Sequence, residues 1–133
     1  MTKYFIAYAA TLVVMVALDL LWLGLIAKSF YMQGIGHLMA ERPNVAVAVL
    51  FYVLYAVGIV VFAVAPGEAS EGWSRTVALG AMFGFFAYAT YDLTNLATLK
   101  NWPISVTLVD MAWGSLVSAA SAAAGKLALD KFA

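Results

Sequence analysis

An all-α fold, a four-helix transmembrane bundle with short hairpin loops, is what this chain of 133 residues predicts. Three observations lead there. The residues are 65% hydrophobic and 11% charged, with a mean hydropathy of +0.95, which leaves too little polar surface for a soluble domain of this size. Four apolar runs, over residues 4–27, 45–65, 76–99 and 104–127, are separated by polar breaks. Each run is about 20 residues or more, enough at 1.5 Å per residue to cross a ~30 Å hydrocarbon core. None shows period-2 alternation, and a barrel needs about eight strands, so the spans are helices. Residues 1–133 therefore form a single integral membrane domain, expected to be multi-pass in a bacterial inner (cytoplasmic) membrane.

The first run follows Lys3 and resembles a signal peptide only superficially. It is too long for an h-region, carries Asp19 and lacks a small-residue cleavage site, so it is a retained helix. The loop that follows, residues 28–44, is the longest, and its Gly34-Ile35-Gly36-His37-Leu38-Met39 segment suits an interfacial turn or a short helix lying on the membrane. The second run closes at Pro66-Gly67, with Glu68 and Glu71 in the break, and Trp73 begins the interface before the third. Lys100-Asn101-Trp102-Pro103 is a tight hairpin, with Pro103 suited to the first turn of the fourth helix. Tyr4, Tyr8, Tyr31, Trp73 and Trp102 are placed as belt residues at the membrane surfaces. Lys3, Arg75, Lys126 and Lys131 lie on one side and Lys28, Arg42 and Lys100 on the other, a narrow preference for cytoplasmic termini.

Composition removes several function classes. Net charge is zero and no basic block is present, which argues against nucleic acid and against a polybasic lipid clamp. With no cysteine there is no disulfide, thiolate metal site or iron–sulfur cluster. His37 is the only histidine, too few for a multi-His metal or haem centre, and no cofactor is expected. No P-loop, H-E-x-x-H, G-x-S-x-G or dinucleotide fingerprint occurs. All five lysines fall at helix ends or tails, which excludes a mid-membrane Schiff base.

Three aspartates carry the functional signal. Asp19, Asp92 and Asp110 lie inside apolar runs, where a carboxylate costs roughly 2.5–3.5 kcal/mol on insertion scales. Asp19 is nine residues before Lys28, Asp92 eight before Lys100, and Asp110 seven after Pro103. All three are therefore expected ~10–14 Å below one surface. Tyr52, seven residues into the second run, reaches that level too. The helix faces agree. Thr107, Asp110, Gly114, Ser118, Ser121 and Gly125 form one stripe; Gly80, Gly84, Tyr88, Asp92 and Asn95 form another; Tyr8, Thr11, Met15, Asp19 and Trp22 form a third. Gly80-xxx-Gly84 permits close helix approach. Asp19-Leu-Leu-Trp22 and Asp110-Met-Ala-Trp113 share an Asp-x-x-Trp spacing that is too common to mark a repeat. Because their helices are antiparallel, Trp22 is expected nearer the loop surface and Trp113 nearer the opposite one.

Each aspartate alone can be read as a protonated carboxyl bonded across the bundle, where such pairs average about 0.6 kcal/mol. Three at one level argue otherwise, since Asn or Ser would bond as well at lower cost. Close carboxylates in low dielectric cannot all ionise, the condition a general acid, proton carrier or cation site needs. Asp19, Asp92 and Asp110 are thus the candidate catalytic residues, with Trp22, Tyr52, Tyr88, Asn95 and Trp113 as candidate substrate contacts.

The run Tyr88-Ala-Thr-Tyr91-Asp92-Leu-Thr-Asn95-Leu-Ala-Thr-Leu-Lys100-Asn-Trp102-Pro103, with Asp19-Leu-Leu-Trp22-Leu-Gly24 and Leu108-Val-Asp110-Met-Ala-Trp113-Gly114, resembles the DUF2177 family of predicted bacterial membrane proteins. The resemblance covers nearly the whole chain. It implies a small four-helix inner-membrane protein with a lipid-related or stress-related role, and it supplies no catalytic residues to carry over.

Three functions fit. Proton- or cation-linked transport of a small or lipid-like solute leads, because buried acids without cofactors are commonest there. With only four helices it calls for a homodimer, along the fourth helix. A cofactor-free intramembrane enzyme of isomerase or cyclase type is the alternative: one Asp donates to a double bond of a lipid or isoprenoid, Trp22 or Trp113 stabilises the cation, and a second Asp removes a proton. A variant has the carboxylates hold one hard divalent ion. The third is a non-catalytic scaffold or accessory subunit. Membrane lipid and a proton or cation are the expected partners. A polar path open to both surfaces favours transport, and a closed pocket opening sideways to lipid favours the enzyme.

Overall fold

A computed structural model of the chain describes residues 2–70 and 72–132, so Glu71 lies outside the described residues. Helix α1 (Thr2–Leu21) runs into a π-turn (Trp22–Ile26), then α2 (Lys28–Ile35) ends in a 3-10 turn (Gly36–Leu38). Helix α3 (Val45–Ile59) continues into a second π-turn (Val60–Val64), and α4 (Ser74–Thr98) and α5 (Ile104–Phe132) follow. No strand occurs among the described residues.

Three segments are long and apolar enough to cross a membrane: Thr2–Ile26, Val45–Val64 and Ile104–Phe132. Helix α4, at 25 residues, has the length, but Thr90, Tyr91, Asp92, Thr94 and Asn95 dilute its apolar character. The four expected spans are therefore three by this measure. The first loop is also no short hairpin, since α2 occupies much of it. Helix α5 extends past residue 127 to Phe132, taking Lys126 inside. Lys126 is 1% exposed, and its Nζ donates to the Glu68 carbonyl (3.0 Å), the Ser70 carbonyl (3.3 Å) and Asp130 Oδ1 (3.1 Å).

Helix α5 is the hub, flanked by α4 on one side and α1 on the other. Small residues let it be. A Cβ at Gly80 would lie 2.8 Å from the Ala122 Cβ and 2.9 Å from the Ser118 carbonyl oxygen, so these backbones meet as closely as glycine allows. The stripe Thr107, Asp110, Gly114, Ser118, Ser121 and Gly125 is buried along its whole length, within one chain.

The two ends of the molecule differ. Around the chain termini, Ala7, Met15, Ile59, Ala63, Val64, Val117 and Ala122 fill the interior with no exposure at all. Toward the other end α3 leans away: nearly every residue of Val45–Leu54 is exposed, and α3 meets α4 chiefly through its π-turn. Tyr55 against Phe83 (ring centroids 5.1 Å) and Tyr88 (6.1 Å) closes the bottom of the resulting gap. Helix α2 folds over the top. The α4–α5 hairpin turns at Asn101, whose φ of 61° is a left-handed conformation that Asn tolerates.

Candidate functional site

The gap between α3 and α5 is a cavity of about 700 Å³. Leu23, Met32, Ile35, Phe51, Tyr55, Ala87, Tyr91 and Val106 give it largely apolar walls, and Asp19 and Asp110 stand on its inner side. Both are nearly buried, at 4% and 9% exposure. The lining residues Phe51 on α3 and Tyr91 on α4 are exposed, and so are Leu23, Lys28, Met32 and Met39 at the loop end, so the cavity is open to the outside at this end of the bundle.

Local helix geometry supplies the polar contacts. Asp19 Oδ2 accepts from the Tyr52 hydroxyl at 2.6 Å, and its Oδ1 accepts from Trp113 Nε1 at 2.7 Å. Asp110 Oδ1 accepts from the Tyr31 hydroxyl at 2.8 Å, and that hydroxyl accepts from Trp22 Nε1 at 3.2 Å. The Trp22 and Trp113 rings stack at 4.5 Å with an interplanar angle of 8°. Each tryptophan thus serves the carboxyl of the other helix, and the two networks meet at the ring stack.

The expectation that Trp22 and Trp113 lie at different depths is therefore corrected. Side chains on a helix point back toward its N-terminus. Trp22 on α1 points down from the loop end, while Trp113 on antiparallel α5 points up toward it. Their rings converge at one level.

Asp92 sits behind the wall. It has no exposure, its two carboxyl oxygens have no hydrogen-bond partner among the described residues, and its charged neighbour is Asp110. Tyr52, Tyr88 and Trp113 line the cavity, and Trp22 lies behind Trp113. Asn95 does not line it. A four-residue step rotates about 40° around a helix, so Asp92 is turned away from the cavity face that Tyr88 presents. Gly114 is required beneath Tyr88, since any Cβ there would run into the phenol ring. Among the described residues no three His, Asp or Glu side chains gather to hold a metal.

Tyr31 and Trp102, expected as belt residues, are instead interior. Tyr31 is 6% exposed on the site, and Trp102 is 7% exposed with its Nε1 donating to Thr107 Oγ1 at 3.0 Å. The sequence signal for Tyr31 is only its place in the long loop, because nothing local says that α2 folds inward. Tyr31 lies outside the spanning segments, and burial above all pushes its phenol up, so it remains a donor to Asp110. Lys28, which is exposed, also lines the cavity.

No curated protein and no solved structure matches the chain. Residues 4–127 match the family described as predicted membrane protein (DUF2177), and the chain belongs to that family.

Proposed function

We propose that this is an intramembrane acid–base enzyme, acting on a molecule that enters its cavity sideways from the lipid phase. One observation carries the choice over transport: the cavity ends at Tyr55, below which the interior is filled by Met15, Ile59, Val117 and Ala122. A transport path would need polar space continuing toward the termini. The four long helices then cross the bilayer together, α4 being carried across by its full-length antiparallel contact with α5, and α2 lies at the interface.

The chemistry follows from the wall. Asp110 faces the cavity with Asp92 behind it, and a proton shared between them gives Asp92 the partner it otherwise lacks. Asp110 donates that proton to one carbon of a double bond, and the neighbouring carbon becomes cationic. Tyr88 and Trp113, which line the cavity, offer π faces to stabilise it. Asp19, held in place by Tyr52 and Trp113, removes a proton from the next carbon, and the double bond has moved. Asp19 releases its proton to water and the Asp92–Asp110 pair takes one up, which resets the site, so electrons and atoms balance with no oxidant or cofactor.

The test is a comparison of lipid extracts from cells expressing the parent chain or Asp110→Asn at equal membrane level. The parent should produce a lipid isomer of unchanged mass and altered chromatographic retention that Asp110→Asn does not. Identical extracts from the two would remove the acid–base role of Asp110.

A further inference from the structure

The mouth of the cavity says what kind of molecule enters. Of the charged side chains lining the cavity, Asp19 and Asp110 lie deep and Lys28 lies at the rim, the first residue of α2. Lys28 is exposed, and the salt bridges among the described residues, Lys3–Glu68 and Lys126–Asp130, do not involve it. Between rim and carboxyls the walls are Leu23, Met32, Ile35, Phe51 and Val106. Asp19 is nine residues below Lys28 along α1 and its π-turn, about 13 Å of depth. The sequence is one cation, then hydrocarbon, then two acids.

We infer that the occupant is an amphiphile with an anionic head, a carboxylate or phosphate seated at Lys28, and a single hydrocarbon chain running down past Asp110 to Asp19. This rests on the cavity being the site of the proposed reaction. An anionic head is attracted to the rim and repelled by the acids below, so the charges hold the molecule in one register. That register sets which carbon meets Asp110, some 10 Å or more below the head. A cationic head would be drawn the other way, past a repelling Lys28 to the acids. The cavity, about 700 Å³, is of the size that holds one small molecule or one chain, so any second chain stays in the bilayer.

Tryptophan quenching tests it, since Trp102 and Trp113 line the cavity. The probes are stearic acid brominated at mid-chain and the matching brominated stearyl alcohol and stearylamine, titrated into the protein in neutral-lipid nanodiscs. The acid should half-saturate at a concentration about tenfold or more below that of the alcohol, as a charge-assisted contact gives. Lys28→Gln should abolish that preference and Lys28→Arg should keep it, while sodium acetate at the acid's concentration should not displace it. Strongest quenching by the amine, or a preference for the acid that survives Lys28→Gln, overturns the anionic head. Displacement by acetate assigns Lys28 to soluble anions and overturns the chain-bearing occupant. Equal quenching by all three probes removes the head preference and leaves the cavity's role standing. No quenching by any of them removes both.

Discussion

Asp19 is held directly by Trp113 and Asp110 through Tyr31 by Trp22, so the two carboxyls share one stacked Trp22–Trp113 centre. The sequence carries both Asp-x-x-Trp segments plainly, yet spacing alone says nothing about which carboxyl each ring serves. That pairing depends on the antiparallel placement of α1 and α5 and on the backward tilt of helical side chains. Tyr31 was the least legible residue, because its contact with Asp110 spans 79 positions and depends on how a loop folds. It is also the side chain whose hydroxyl ties α2 to the interior. Tyr31→Phe keeps the ring and removes that donor and acceptor together. The expected cost is about 0.6–1.7 kcal/mol, the span of interhelical hydrogen bonds in membranes. Hydrogen exchange should rise across Lys28–Leu38 and stay unchanged in α4 and α5. Unchanged exchange in α2 would mean that Val106 and Trp102, not the hydroxyl, hold it.

At the level of helices, the apolar runs were legible because every crossing residue must avoid a bare charge, and three of the four satisfy length and apolarity outright. The small-residue stripes of α4 and α5 were legible for a related reason, since close backbone approach leaves room for nothing larger. Less legible were the π-turns at Trp22–Ile26 and Val60–Val64, where one wider hydrogen bond, such as Ala27 N–H to the Trp22 carbonyl at 2.7 Å, re-aims the chain with only Gly24 inside the first and no Gly or Pro inside the second. The lean of α3 was invisible too. Its continuous apolar run suits lipid on all sides and core alike. The α4–α5 contact gives a direct test. A side chain at Gly84 would strike the Gly114 carbonyl and the Ser118 side chain, whereas a Cβ at Gly36 meets nothing within 4 Å. Gly84→Leu should therefore destabilise by about 1–3 kcal/mol, the cost of overpacking, and lower the thermal midpoint in detergent, while Gly36→Ala leaves it within error. Equal midpoints for both variants would contradict so close an approach.

Across the whole molecule, one end is closed and the other holds the cavity. The closed end is fastened by Glu68, whose carboxyl takes hydrogen bonds from Lys3 and Tyr4 and stands beside buried Lys126. The bond from Lys3, and then that from Tyr4, holds the Glu68 carboxyl below its usual range. Because the fold favours the ionised form, its stabilising contribution is present above the ordinary glutamate range and is lost as pH falls through the lowered value. The thermal midpoint of the parent should drop on acidification below about pH 4, and Glu68→Gln should lose much of that drop while starting lower at neutral pH. A parent curve flat through the same window would contradict the fastening role. The cavity end concerns the chemistry, and solvent deuterium follows it most directly. The protein is placed in nanodiscs of lipid extracted from its own host and incubated in deuterium oxide, and the lipids are weighed by mass spectrometry after back-exchange of heteroatom sites. Proton transfer between Asp110 and a carbon should place deuterium in a carbon-bound position of one lipid class, with none above background for Asp110→Asn. Parent protein that leaves every lipid at its natural mass would contradict acid–base catalysis in this cavity.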